Sequence, residues 1–365
     1  MTPARIRSPR PGRDGNVVGD LVGLALWRWG RACPGHFVWV ARRATHIGVQ
    51  ELRRLARVRR LGAPVPRVIA ISPTMACNYN CQGCYSRGRP LEDELTLEEL
   101  ESIFTEAEDL GALSVVVTGG EPLGRQGLLG LIARHRRLLF VLITNGSLLS
   151  EGVAEEIGAC GNVLTLVSIE GSPDDTDERR RAGAHAAALR ALDALRDAGL
   201  CFGFAAMHTA ANGDNLISDA FLDDMTRRGC SLGFVTEYVP TGLAPREDYL
   251  VAHEHRERLR RRVLELRERL HLVLVQFPHD EYGEDNVCTG AGRSSLHIGS
   301  TGDVEPCPFV PISCENVRDG GLTAACRSPF LREIRRHPHL LRRERHACAL
   351  FEHEQELRQL AATQR

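Results

Sequence analysis

The sequence has 365 residues, with 46 Lys and Arg against 47 Asp and Glu, a formal net charge of -1. That balance gives no long-range field for a polyanion or an acidic membrane, so nucleic acid is not an expected partner. A hydrophobic share of 43% and a charged share of 25% suit a folded chain of about two domains and exclude global disorder. Cysteine is the outlier: 12 residues are too sparse for a small disulfide scaffold and too many for core filling alone.

Residues 1–13 are Arg-rich with no hydrophobic run, and the apolar stretch 17–27 is interrupted by Asp20 and two glycines. That stretch is too short to span a bilayer and lacks a small-residue cleavage site. A cytoplasmic protein with reduced thiols and no stable membrane insertion is therefore expected. Trp27, Trp29, Phe37 and Trp39 lie among arginines, which fits either a helix touching a membrane surface or a helical collar over the next domain. Helical periodicity is clear over 37–57.

From residue 67 the pattern alternates. Strands are predicted over 68–71, 114–118, 140–144, 163–168, 202–207 and 232–237, with helices over 97–110, 128–135, 148–157, 184–198 and 215–228 between them. Such alternation implies right-handed crossovers and a parallel sheet buried on both faces. Thr96 with Glu99 forms a capping box for the first of these helices, and Gly111 suits its end. Whether the sheet curls or lies open is not decided by periodicity, but reactive groups belong at the carboxyl ends of its strands.

Those ends carry the unusual residues. After the first strand come Cys77, Cys81 and Cys84 in a CxxxCxxC loop closed by Tyr85. No fourth Cys or His follows at the spacing of a tetrahedral zinc site, whereas three thiolates suit a four-iron cluster with one iron open. The second strand ends in Thr118-Gly119-Gly120-Glu121-Pro122; the glycines let backbone approach a ligand, and Glu121 is able to receive an ammonium group.

With this loop and this glycine pair the chain resembles the radical S-adenosylmethionine (SAM) superfamily. The resemblance implies a partial (β/α)6 barrel and a [4Fe-4S] cluster held by Cys77, Cys81 and Cys84, with SAM on the open iron. It assigns Tyr85 to the adenine, and Gly119, Gly120 and Glu121 to the SAM amino group. It gives Ser168 and Glu170 to the ribose and Arg180 to the SAM carboxylate. Asn145, Gly146 and 237–242 are expected to face the same site. The implied activity is reductive cleavage of SAM to a 5'-deoxyadenosyl radical that abstracts hydrogen from an unidentified substrate: a small secondary metabolite, sugar, lipid or peptide. A reductase such as flavodoxin or ferredoxin is the implied electron donor. The rival reading is a non-catalytic zinc or iron-sulfur binding module.

A second cysteine group follows a helix over 252–270 and a strand over 272–277. Cys288, Gly302 and Cys307 match the opening of the twitch and SPASM extensions of that superfamily, with 296–298 and 303–305 as a β-hairpin. The resemblance implies one auxiliary [4Fe-4S] cluster on Cys288, Cys307 and Cys348, with Cys314 preferred over Cys326 as fourth ligand. Cys33, Cys160, Cys201 and Cys230 read as core, Cys201 being also a possible hydrogen donor. His208, His279, Asp280 and Glu281 are candidates for the substrate pocket. The expected organisation is an N-terminal extension over 1–66, partly disordered then helical, a radical SAM core over 67–283, a small α+β auxiliary-cluster extension over 284–352, and a tail over 353–365.

Overall fold

The computed structural model describes residues 36–269 and 272–364. Cys33, Trp27, Trp29 and the apolar stretch 17–27 lie outside them. In chain order the main elements begin with α1 (Phe37–Leu61), β1 (Val68–Ile71), α2 (Leu97–Leu110), β2 (Ser114–Val117), α3 (Leu128–Arg134) and β3 (Leu139–Thr144). Then come α4 (Glu151–Cys160), β4 (Val163–Ser168), α5 (Pro173–Arg179), α6 (Ala184–Asp197), β5 (Phe202–His208), α7 (Gly213–Leu216), α8 (Asp219–Arg227) and β6 (Leu232–Glu237). The chain continues through α9 (His253–Arg269), β7 (Val273–Phe277), the hairpin strands β8 (Ser295–Ile298) and β9 (Val304–Glu305), and four short helices between 321 and 362.

The capping box at Thr96 is present, with Glu99 returning a bond to the Thr96 backbone. Two helices start later than expected because serines cap them. Ser150 accepts from Val153 N–H, starting α4 at Glu151, and Ser218 accepts from Phe221 N–H, dividing the predicted helix 215–228 into α7 and α8.

Strands β1 to β7 are parallel and lie in sequence order, each paired with the next. Alternate residues enter two environments. Ile69, Ile71, Val115, Val117, Phe140, Leu142 and Phe204 pack under the helices, whereas Ala70, Val116, Val141, Leu166, Ala205, Phe234 and Val275 line one cavity of about 590 Å³. Strands about 4.8 Å apart would set β1 and β7 roughly 30 Å apart in a flat sheet. Their sharing of one cavity is the signature of a sheet curled into a partial barrel.

The hairpin extends this sheet. β8 lies parallel to β1, with Ile71 opposite Ile298, and β9 returns antiparallel. A buried chain crosses the seam: Ser72 Oγ lies 2.9 Å from His297 Nε2, and His297 Nδ1 lies 2.7 Å from Glu305 Oε2. Glu305 Oε1 then accepts from Arg89 at 2.6 Å, and Arg89 also donates to the Pro308 carbonyl at 2.8 Å.

Helix α1 closes the amino ends of the strands. Val40 and Trp39 pack with Leu139, Leu164, Leu166 and Val273, and Trp39 donates to the Gly161 carbonyl. Gln50 bonds the carbonyls of Glu108 and Ala112, and Arg54 that of Val65. The collar is thus the observed arrangement for this helix. Among the described residues no helix is long and apolar enough to cross a membrane.

One buried ion pair fastens α9 to the end of β6. Arg256 of α9 meets Glu237 at the end of β6 at 2.6 Å, and donates as well to the carbonyls of Val251 and Arg345. Both side chains are nearly inaccessible. Replacing Arg256 by Met leaves Glu237 buried without its cation, and thermal or denaturant unfolding is expected to show a loss of about 3–5 kcal/mol.

Candidate functional site

The carboxyl ends of the strands converge on the Cys77–Cys84 loop. From β2, Gly120 N–H donates to the Thr74 carbonyl and Glu121 N–H to the Ala76 carbonyl. From β3, Asn145 donates to Asn78, which in turn donates to Ser147. From α5, the carbonyls of Arg179 and Glu178 accept from the Gln82 backbone and side chain, while Arg246 and Tyr249 donate to the Gln82 side-chain oxygen Oε1 from beyond β6. Gly120 has no room for a side chain, since a Cβ would lie 2.1 Å from the Ala76 oxygen.

Cys77, Cys81 and Cys84 all border the cavity, together with Gly119, Gly120, Asn145, Ser168 and Arg180. Cys77 is exposed, Cys81 buried and Cys84 between them. Burial raises the Cys81 thiol, and the guanidinium groups of Arg180 and Arg179 oppose it. Among the described residues no three His, Cys, Asp or Glu side chains converge as they would around one metal ion. Three thiols bordering one cavity are a donor set that fits a four-iron cluster with one iron left open.

Two expected contacts point elsewhere. Glu121 does not border the cavity; it is 2% exposed, and its carboxylate accepts from Leu123 N–H, Thr144 Oγ1 and Asn145 N–H. It ties the end of β3 to the glycine pair. Glu170 is also outside the cavity and fully buried, accepting from Arg179 at 2.5 Å, Arg180 at 2.6 Å and Met207 N–H at 2.7 Å. Burial pushes its carboxyl up, but Arg179 and Arg180 outweigh this and hold it below its ordinary value. Glu170 therefore aims the two arginines, and Arg179 borders the cavity beside Arg180. In β6 the alternation puts Thr236 into the cavity and Glu237 outside it, against Arg256. Tyr85 bonds Thr118 Oγ1 and accepts from Gly119 N–H, and its ring meets Phe309 edge-on at 5.3 Å.

The second cysteine group assembles beside Phe309. Burial raises the thiols of Cys288, Cys307 and Cys348, taking Cys288 up to about 12 and Cys348 up to about 11; Cys348 adds to the rise at Cys288 and Cys307, and Cys288 to that at Cys307. Backbone N–H groups nevertheless bond each sulfur: Gly290 and Ala291 at Cys288, Phe309 at Cys307, Leu350 and Phe351 at Cys348. Buried sulfurs with N–H donors suit thiolates whose charge a metal centre would balance. Cys307 also borders the barrel cavity. Cys314 Sγ donates to the Ala361 carbonyl at 3.5 Å. Cys160, Cys230 and Cys326 are buried in the apolar core, and Cys201 lies at the barrel floor with Leu166 and Val273, its sulfur 3.5 Å from Ser231 Oγ.

His208 and His279 do not border the cavity; burial lowers them to about 4 and about 3. Asp280 and Glu281 do border it. Asp280 is held by Arg260, Arg267 and Gln276 N–H, whereas Glu281 Oε2 has no hydrogen-bond partner. Burial, then the Asp280 charge, pushes Glu281 up to about 7.

Known proteins agree with this geometry. Residues 71–218 match the radical SAM superfamily, and residues 288–349 match SPASM, an iron-sulfur cluster-binding domain. The AdoMet-dependent heme synthase of Nitratidesulfovibrio vulgaris is 27% identical over 71% of this chain and 78% of its own. The PqqA peptide cyclase of Granulibacter bethesdensis is 30% identical over 64% of this chain and 65% of its own. Streptococcus suis SuiB bound to S-adenosylmethionine superposes with a TM-score of 0.66 at 19% identity, covering 77% of this chain and 71% of SuiB. These relatives set aside the reading as a non-catalytic module. With its curled parallel sheet, its cysteine loop at the mouth and its SPASM region alongside, the chain belongs to the radical SAM superfamily of enzymes.

Proposed function

We propose that the enzyme reductively cleaves SAM at a [4Fe-4S] cluster held by Cys77, Cys81 and Cys84, and that the resulting 5'-deoxyadenosyl radical abstracts hydrogen from a substrate in the barrel cavity. The observation that carries this reading is the convergence of the three thiols, the glycine pair, Asn145, Ser168 and Arg180 on one cavity. In it, the backbone of Gly119 and Gly120 meets the SAM amino group, with Glu121 holding that edge in place from behind. Arg180, held from behind by Glu170, presents its guanidinium to the carboxylate, and Ser168 meets the ribose. Tyr85 borders the adenine. Cys77 is the exposed member of the trio, which gives a reductase such as flavodoxin or ferredoxin its nearest approach.

The cavity wall supports one substrate class. Val116, Val141, Leu166, Phe234, Val275 and Phe277 form it, with few polar groups between the two cysteine clusters. Such a wall favours a substrate with an apolar body, a lipid or an apolar metabolite, over a sugar. It also keeps water away from a radical that attacks whatever is nearest.

Anaerobic, dithionite-reduced protein is expected to form 5'-deoxyadenosine from SAM, and Cys81→Ala to lower this at least about 100-fold. Fully iron-loaded protein that forms none would overturn the reading. Replacing Cys77, Cys81 and Cys84 together by Ala should leave about four irons per chain, measured by iron analysis. Gly120→Ala forces the cysteine loop off the end of β2, so iron in the first site should fall while iron in the second persists.

A further inference from the structure

The least satisfied group at the auxiliary side of the cavity is Glu281. It is 9% exposed, its Oε2 is unpartnered, and it borders the cavity next to Cys307. A buried carboxylate oxygen without a donor is strongly unfavourable unless a cation meets it. The nearby arginines do not serve it: Arg260 and Arg267 are bound to Asp280. Glu281 lies beside the cysteine-bearing chain: Thr289, the residue after Cys288, donates both its N–H and its hydroxyl to the Glu281 backbone carbonyl, and the Glu281 charge raises the thiols of Cys288 and Cys307. The backbone leaves space for it. At Gly290, two residues after Cys288, a Cβ would lie 2.7 Å from Glu281 Oε2.

The sulfurs differ in polarity. Cys288, Cys307 and Cys348 receive backbone N–H groups, as ligating thiolates do. Cys314 gives its S–H to a carbonyl on the last helix, which is the behaviour of a protonated thiol. We propose that Glu281, through Oε2, supplies the fourth protein ligand of the auxiliary iron-sulfur cluster, the place that sequence spacing gives to Cys314. This rests on the reading that Cys288, Cys307 and Cys348 hold that cluster. Carboxylate is a harder and less electron-donating ligand to iron than thiolate, so one corner of the cluster differs from the other three.

The test uses the full chain with Cys77, Cys81 and Cys84 replaced by Ala, loaded anaerobically, so that only the auxiliary cluster contributes. Iron content, EPR spectra and the reduction potential are read, with circular dichroism as the check on folding. Glu281→Gln should lose one iron on mild oxidation and give a three-iron EPR signal. Glu281→Cys should keep the full iron content at a lower potential, and Cys314→Ser should match its parent. Glu281→Cys carries the test should Glu281→Gln not fold. Unchanged spectra and potential in the folded Glu281 variants, or a three-iron signal in Cys314→Ser, would overturn the assignment of Glu281 alone. A parent without iron would remove the auxiliary cluster itself, and the ligand with it.

Discussion

The parallel pairing of β8 onto β1 is the constraint on which the rest of the site depends. The two strands are hydrogen-bonded neighbours, and each leads at its carboxyl end into cysteine-bearing chain: β1 into the Cys77–Cys84 loop, β8 through its hairpin into Cys307. Neighbouring strands lie about 4.8 Å apart, so the pairing sets both cysteine groups at one mouth. The Ser72–His297–Glu305–Arg89 chain then fixes their relative position, since Arg89 sits five residues past Cys84 and bonds the carbonyl next to Cys307. All of its members are buried or nearly so, and a buried network of this kind favours one arrangement because each alternative strands a polar group.

Charge is handled at the same mouth by indirect means. Glu170 and Glu121 stand behind the cavity and hold in place the groups that face it, arginines in one case and the end of β3 in the other. Because the wall is apolar, the few charges that do reach the cavity act at low effective dielectric and are felt strongly. The thiols of the second group lie in a still more enclosed place, which explains both their raised values and their need for backbone donors.

Much of this was legible in the sequence. Runs such as Val68–Ile71 and Val163–Ser168 are strands within the bounds that their β-branched content suggests, and the Thr96 box starts its helix where expected. The CxxxCxxC loop and the glycine pair are local signals for local chemistry, and they were readable for that reason. The direction of a side chain is a different matter. Glu121 and Glu170 sit at motif positions, but whether a carboxylate turns into the cavity or behind it depends on donors from other strands: Asn145 for one, Met207 for the other. The pairing of β8 with β1 joins residues over 200 positions apart through four-residue strands, and no periodic pattern encodes that. Nor does spacing distinguish Cys314 from Glu281, because the difference lies in which neighbour offers a proton and which accepts one.

The floor laid by α1 closes the cavity at the amino ends of the strands. With Trp39 and Val40 wedged under the strands and Gln50 and Arg54 clamping the turns beside them, the described residues pack that end, and the opposite rim is the one that Cys77, Cys81, Cys84 and Cys307 border. A molecule bound in the barrel would then exchange with solvent past those sulfurs, and its order of release would follow its depth below the rim.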